Sequence, residues 1–322
     1  MSATGGSTLS GSRVVVTGAS GFLGRHLCRR LRMSGAEVHG VSRVDRQPDG
    51  QVTRWWKVGL EQVQDVRDFW LEVRPDLVYH LSGEINGAPT FALLLPTFRS
   101  LVTTSVNLIA VSTETAARLI LIGSLEEPCG ADVGLTPASP YAAAKAAVTM
   151  YARMCRELFG SRLVLLRTFM VYGPGQPAWK LIPSTMKALS AGVTPQLSSG
   201  CHEADWVYVD DVIDAFVAAA LIPGADGEAL DVGSGRLASI RNVVEQLGRL
   251  LAPSIQPQFG ALRDRPERPV RVADVGTTWD RLGWKPRTSL EEGLRRTVQS
   301  FRESLPRRGE GQPPYMHEAP SQ

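Results

Sequence analysis

The chain has 322 residues, 43% of them hydrophobic, with 35 Lys and Arg against 32 Asp and Glu for a formal charge of +3. That length and apolar fraction suit one large α/β domain or two coupled ones and exclude a disordered chain. The small basic excess is almost all Arg, with five Lys and no basic run, so a nucleic-acid partner is not expected. The cysteines (Cys28, Cys129, Cys155, Cys201) show neither CxxC nor ligand-like spacing with His, which argues against a disulfide framework and against a metal site.

Residues 1–11, "MSATGGSTLSG", read as a flexible tail without the charged start and apolar stretch of a signal peptide. No run approaches 18 apolar residues, so no membrane span and a cytoplasmic location are expected. "RVVVT" (13–17) is a β-branched strand, and "FLGRHLCRRLRM" (22–33) has apolar residues at helical spacing. A strand at 36–42, a helix at 63–73 and a strand at 76–83 follow. The apolar segment 90–112 is long enough to be a buried helix. "RLILIGS" (118–124) is a strand, and "SPYAAAKAAVTMYARMCREL" (139–158) is a helix with Ser139 as N-cap and Pro140 at its first position. "RLVLLRTF" (162–169) is again a strand. This alternation predicts an α/β fold of Rossmann type, a doubly wound parallel sheet over residues 12–173. Beyond Gly173 the helices (about 180–191, 210–221, 238–251 and 288–304) are separated by short irregular strands. Residues 174–305 therefore read as a smaller, partly interleaved substrate lobe. The tail 306–322 lacks core-forming residues and reads as disordered.

"TGASGFLG" (17–24) spaces Gly18, Gly21 and Gly24 at the first strand–helix junction. Glycines there let the backbone approach a pyrophosphate while the helix start offers N–H groups and a positive dipole end. At the end of the second strand, where an acid would hold the ribose of NAD, the chain has Ser42 and Arg43, with no acid until Asp45. A hydroxyl and a guanidinium suit a 2′-phosphate, so NADP(H) is favoured, with NAD(H) as the alternative. Tyr141 and Lys145 in "YAAAK" share a helix face, so the ammonium is expected to favour the phenolate and make Tyr141 a proton carrier near neutral pH.

In this order "TGASGFLG", "YHLSG", "LILIGS", "SPYAAAK", "LRTFMVYGPGQ", "DWVYVDDVIDA", "DVGSG" and "RLGWKPRTSLEEGL" resemble the extended short-chain dehydrogenase/reductase family of nucleotide-sugar epimerases, dehydratases and reductases, over about residues 12–302. The resemblance implies that Ser124, Tyr141 and Lys145 are catalytic. Tyr141 would be the general acid/base, Lys145 would bind the nicotinamide ribose and Ser124 the reacting oxygen. It also implies that Gly18, Ser20, Gly21, Phe22, Leu23, Gly24, Leu81, Ser82, Gly83 and Phe169 line the cofactor, beside Ser42 and Arg43. Ser124, Glu126, Met170, Leu181 and Arg265 would contact a nucleotide diphosphate-sugar, and a homodimer through a four-helix bundle is implied. The chain departs from the family at Met170, where Asn is usual, at Ala204, where an Arg precedes Asp205, and at Asp231, another usual Asn.

The residues after the serine bear on the reaction. The 4,6-dehydratases place an acid beside that hydroxyl, whereas Leu125 cannot protonate a leaving hydroxyl, so dehydration is disfavoured. Ser-x-Glu-Glu resembles instead the branch that reduces 4-keto-6-deoxy nucleotide sugars. Glu126 reads as a base or a sugar-orienting group, Glu127 as a solvated loop residue, and Cys129 as packing. Trp179 and Trp206 read as core. The favoured function is an NADPH-dependent ketoreductase. The alternatives are an epimerase with retained NAD and a non-catalytic cofactor-binding sensor or scaffold.

Overall fold

The strands expected between residues 13 and 169 carry apolar side chains at consecutive positions, as in a parallel sheet covered on both faces. The computed structural model, which describes residues 9–47, 49–128, 134–264 and 270–305, has this architecture. Residues 1–8 and the tail 306–322, like Cys129 and Arg265, lie outside the described residues. Seven strands lie in the order β3 (Arg54–Lys57), β2 (Glu37–Ser42), β1 (Arg13–Thr17), β4 (Leu77–His80), β5 (Arg118–Ser124), β6 (Leu163–Thr168) and β9 (Ala229–Val232). Every pairing is parallel. Alternate side chains feed opposite layers. Val14, Val16, Ile120, Val164 and Leu166 pack with α1 (Phe22–Met33) and α7 (Val209–Leu221). Val15, Leu119, Leu121, Leu163 and Leu165 pack with α2 (Val63–Val73), α4 (Thr104–Thr115) and α5 (Pro140–Phe159). Each such side chain taken out of water stabilises the fold by roughly 1.5–3 kcal/mol before entropy is counted.

The strand order reverses between β1 and β4, which opens a crevice at their carboxyl ends. The later part of the chain returns β9 to the sheet beside β6 and builds a second sheet. There β8 (Glu203–Tyr208) lies between β7 (Met170–Tyr172), parallel to it, and β10 (Leu237–Ser239), antiparallel. Around it lie α6 (Leu181–Ser190), α8 (Ile240–Leu251) and α10 (Leu290–Ser304).

Four expectations change. Residues 9–11, read as tail, are packed: Leu9 is buried and the Gly11 N–H donates to Gly35 O at 2.9 Å. The segment read as one buried helix is a composite run, Phe91–Thr115, with α3 (Leu94–Thr97), a π-helical turn (Phe98–Thr103) and α4. It has the length and hydropathy of a membrane-crossing helix. Its Leu101, Leu108 and Ile109 are interior, whereas Phe91, Leu95 and Phe98 are exposed. The edge strand β3 and α9 (Val275–Leu282) were not foreseen. Trp206 is core, but Trp179 is 63% exposed and stands beside the Lys180 ammonium, 4.4 Å from its ring centre, rather than in the interior.

Candidate active site

The glycine turn fills the crevice with backbone alone. Gly18 has φ +68°, and a Cβ there would lie 2.9 Å from Leu81 C and Ser82 N. A Cβ on Gly24 would lie 2.1 Å from Gly18 O, so only glycine lets α1 approach the end of β1 this closely. Gly21 caps α1 without a side chain, and the helix has no acid in its first turn, leaving its positive end open to an anion. Ser20 is half-buried, and Phe22 and Leu23 pack against the core behind the turn. These residues fit a dinucleotide pyrophosphate.

Thr17 Oγ1 ties the two sides of the crevice together. It bonds His80 Nδ1 at 2.8 Å and accepts the N–H groups of Leu81 and Ser82 at 3.2 and 3.3 Å. His80 Nε2 reaches Thr104 Oγ1 at 3.3 Å, and burial, with Lys145 nearby, lowers the imidazole pKa to about 3. His80 is thus a neutral post that sets the backbone of Leu81, Ser82 and Gly83 at the rim. Gly83 lies against the π-helical turn, where a Cβ would come within 2.2 Å of Leu101 Cδ2.

At the end of β2, Ser42 Oγ accepts from the Val44 N–H and from Arg46 Nε, both at 3.2 Å. The Arg46 guanidinium lies 5.4 Å from the Trp55 ring centre, Arg43 is exposed, and the Asp45 carboxylate is engaged by Lys57 at 2.9 Å. The Arg46 guanidinium and the Ser42 hydroxyl therefore stand together at this end beside the exposed Arg43, and Asp45 is turned to a lysine. Arg46 was not singled out from sequence, although its place beyond "VSR" was the available signal.

The end of β5 meets α5. Ser139 caps α5 by accepting the Ala142 N–H at 3.1 Å, which places Tyr141 and Lys145 over Ser124. Tyr141 is hydrogen-bonded to Ser124, and Lys145 Nζ donates to Ile122 O at 2.7 Å. Burial lowers the Lys145 pKa to about 8, partly offset by Glu127. Tyr141 departs from the expected depression: burial pushes it up to about 12, partly offset by the Ser124 hydrogen bond, with Glu126 and Glu127 adding to the rise. The ammonium donates to the Ile122 carbonyl and stands 5.8 Å from the Tyr141 ring centre. Tyr141 is a protonated acid in this arrangement.

The paired glutamates differ. Glu126 is half-buried and faces Gly87, where a Cβ would sit 3.0 Å from its Oε2. Glu127, expected to be solvated, is 2% exposed, accepting the Ser124 N–H at 2.5 Å and the Thr149 hydroxyl at 2.6 Å. Arg271 clamps the same turn from the later part of the chain, donating through Nη1 to the carbonyls of Leu125 and Glu127, each at 2.6 Å. Phe169 is buried, with its N–H on Val232 O at 3.1 Å. Met170 is 38% exposed at the start of β7, and Leu181 is half-buried at the start of α6. The Asp231 departure is answered by Arg167, whose Nε donates to it at 2.7 Å.

The NAD dependent epimerase/dehydratase family model matches residues 14–233. The chain belongs to this family. Among its relatives, the UDP-glucose 4-epimerase of Mycolicibacterium smegmatis is 30% identical over 319 residues, 90% of this chain and 98% of its own length. The probable dTDP-glucose 4,6-dehydratase of Sinorhizobium fredii is 29% identical, covering 91% and 93%. Of solved structures, MoeE5 in complex with UDP-glucuronic acid and NAD superposes with TM-score 0.77 at 28% identity, over 91% of this chain and 99% of that one. The UDP-glucose 4-epimerase of Thermotoga maritima shares the fold with TM-score 0.80 at 23% identity, over 91% and 99%. The epimerase/dehydratase family works with a nicotinamide cofactor, which the glycine turn fits.

Proposed function

We propose that the protein reduces a 4-keto (6-deoxy) sugar carried on a nucleoside diphosphate, with NADP(H) as the hydride carrier. Gly18, Ser20, Gly21, Phe22, Leu23 and Gly24 hold the pyrophosphate by backbone approach and the open end of α1. Ser42 and Arg43, joined by Arg46, take the 2′-phosphate. Leu81, Ser82, Gly83 and Phe169 wall the nicotinamide end, and Lys145 binds its ribose. Ser124 Oγ orients the ketone oxygen, and Tyr141 Oη passes its proton to that oxygen as the alkoxide charge develops. A positioned acid of this kind contributes roughly 10²–10⁴-fold in rate.

Ser124, Glu126, Met170 and Leu181 face the sugar, and Arg265 takes the diphosphate. Residues 12–173 form the dinucleotide lobe, and residues 174–305 supply most of the sugar-nucleotide lobe. The observation that carries the reductive reading is the end of β2, where Ser42, Arg43 and Arg46 gather while Asp45 is paired with Lys57. The protonated Tyr141 supports the same direction. The test is to denature the purified protein and identify any dinucleotide released, then to follow NADPH oxidation with a 4-keto-6-deoxy nucleotide sugar. Turnover that consumes NADPH supports the reading, and tightly retained NAD with no NADPH consumption overturns it.

A second reading, a nucleotide-sugar epimerase with retained NAD, is favoured by the 30% identity to a UDP-glucose 4-epimerase over nearly the full length of both chains. The exposed apolar side of Phe91–Thr115 continues into Met150, Tyr151, Met154, Leu158 and Phe159 of α5, and a second copy of the chain covers it in a homodimer. Dilution-dependent light scattering tests that assembly.

A further inference from the structure

Beneath the catalytic serine lies a buried carboxylate that the proposed chemistry does not use. Glu127 follows Ser124 by three residues and folds back under the end of β5. Oε1 accepts the Ser124 backbone N–H and Oε2 the Thr149 hydroxyl. Thr149 is four residues beyond Lys145, which is four beyond Tyr141, so one face of α5 presents the acid, the ammonium and the anchor of Glu127 in succession. Space for the carboxylate is built into β5: a Cβ on Gly123 would lie 2.6 Å from Glu127 Oε1 and 2.9 Å from Arg167 Cγ. Burial pushes the Glu127 carboxyl up from its ordinary range, and the Thr149 and Ser124 hydrogen bonds together with the charges of Lys145 from α5 and Arg167 from β6 oppose that rise. Around Lys145 stand Glu127 from the turn, the neutral His80 from β4 and the Tyr141 ring on α5. Arg167 donates to Asp231 and to the Ala229 carbonyl, and the Lys145 ammonium donates to the Ile122 carbonyl. Thr149 thus holds the Glu127 carboxylate one helical turn from Lys145, where its charge acts on the ammonium.

We infer that Glu127 is a positioning residue of the catalytic centre: its carboxylate fixes the backbone of Ser124 and supplies the fixed negative charge that keeps the buried Lys145 ammonium protonated. This rests on the reading of Ser124, Tyr141 and Lys145 as the catalytic set. A solvated acid in the same turn would do neither, because water would screen it from Lys145 and satisfy the Ser124 N–H. The inference separates two functions of one side chain. Glu127→Gln keeps the shape and removes the charge. Glu127→Asp keeps the charge but is too short to reach both Ser124 and Thr149.

The experiment uses the full chain with ¹³C-labelled lysine. Only five Lys are present, so the Lys145 side-chain resonance is assigned by its loss in Lys145→Met and titrated by NMR. The wild-type midpoint is expected near 8. In Glu127→Gln it is expected to fall by about one pH unit, the scale of losing one neighbouring opposite charge. In Glu127→Asp it stays within a few tenths of wild type while kcat drops roughly 10-fold or more through the displaced serine. An unshifted Lys145 midpoint in folded Glu127→Gln overturns the inference. If Glu127→Gln does not fold, Glu127→Asp decides alone, since a shifted midpoint or an unchanged kcat contradicts the division of roles. Failure of the underlying reading is distinct: Tyr141→Phe would then retain turnover whatever Lys145 does.

Discussion

Replacing Asp205 probes how the loops of the later half of the chain are tied to one another. Asp205 is 1% exposed and its carboxylate accepts four hydrogen bonds: Ser234 N–H and Oγ on Oδ1 at 2.6 and 2.7 Å, Gly235 N–H and Ala273 N–H on Oδ2 at 2.9 and 3.0 Å. Asn at this position must present its NH₂ to one of these pairs. It will settle against Ser234, whose hydroxyl can turn to the Arg236 carbonyl at 3.1 Å, whereas Gly235 and Ala273 offer only rigid backbone donors. One buried N–H then faces another donor, and the charge assistance of the remaining bonds is lost. At about 1–3 kcal/mol for a buried unsatisfied group, Asp205→Asn should cost about 2–3 kcal/mol and Asp205→Ala about 4 kcal/mol. Guanidinium unfolding should show the midpoint falling with an unchanged slope. Ala273 is two residues from Arg271, so both variants should also raise KM for the sugar nucleotide. An Asp205→Ala protein within about 0.5 kcal/mol of wild type, the range of an ordinary surface change, would refute the reasoning.

Gly24→Ala forces a Cβ into the Gly18 carbonyl and should destabilise the protein by roughly 3 kcal/mol while abolishing dinucleotide binding, read by calorimetric titration. His80 gives a pH signature. Its folded pKa of about 3 lies below the ordinary 6.5, so the unfolded chain binds the extra proton between those values. The stability tied to neutral His80 is complete above pH 6.5 and is lost as pH falls towards 3, by about 1.4 kcal/mol per unit, and denaturant midpoints should lose that slope in His80→Gln. Removing both Arg43 and Arg46 should raise KM for NADPH at least about 10-fold and leave that for NADH nearly unchanged, since each charged contact to a phosphate is worth roughly 1.5–3 kcal/mol.

Most of the main sheet was legible because β-branched and leucine-rich strands alternate with amphipathic helices. Five of its seven strands follow from that rhythm. β3 escaped because "RWWK" is a four-residue edge strand with half-exposed tryptophans and charged ends. β9 escaped because it is short and returns to the sheet only after a long excursion. Ser124, Tyr141 and Lys145 came from the family resemblance, with helix spacing putting the last two on one face, and the end of β5 meets that face in the structure. Glu127 was misread because an acid in a turn after a strand is ordinarily solvated. The signals that contradict this, Gly123 before it and Thr149 on the Tyr141 and Lys145 face of α5, gain meaning only once β5 and α5 are packed together. Arg271 had no signal at all, since it reaches a turn 144 residues away. The Tyr141 pKa was misjudged for a related reason: spacing places Lys145 on the right face but does not say how deeply packing buries the Tyr141 hydroxyl.

The central claim is that Tyr141, oriented with Ser124, delivers a proton to a sugar ketone. Its most direct test is the rate of NADPH oxidation by wild-type and Tyr141→Phe protein with a 4-keto-6-deoxy nucleotide sugar, with dinucleotide binding measured in parallel. Tyr141→Phe should bind NADPH as wild type does and lose at least about 10²-fold in kcat. A Tyr141→Phe protein that binds NADPH and turns over within a few-fold of wild type would contradict it.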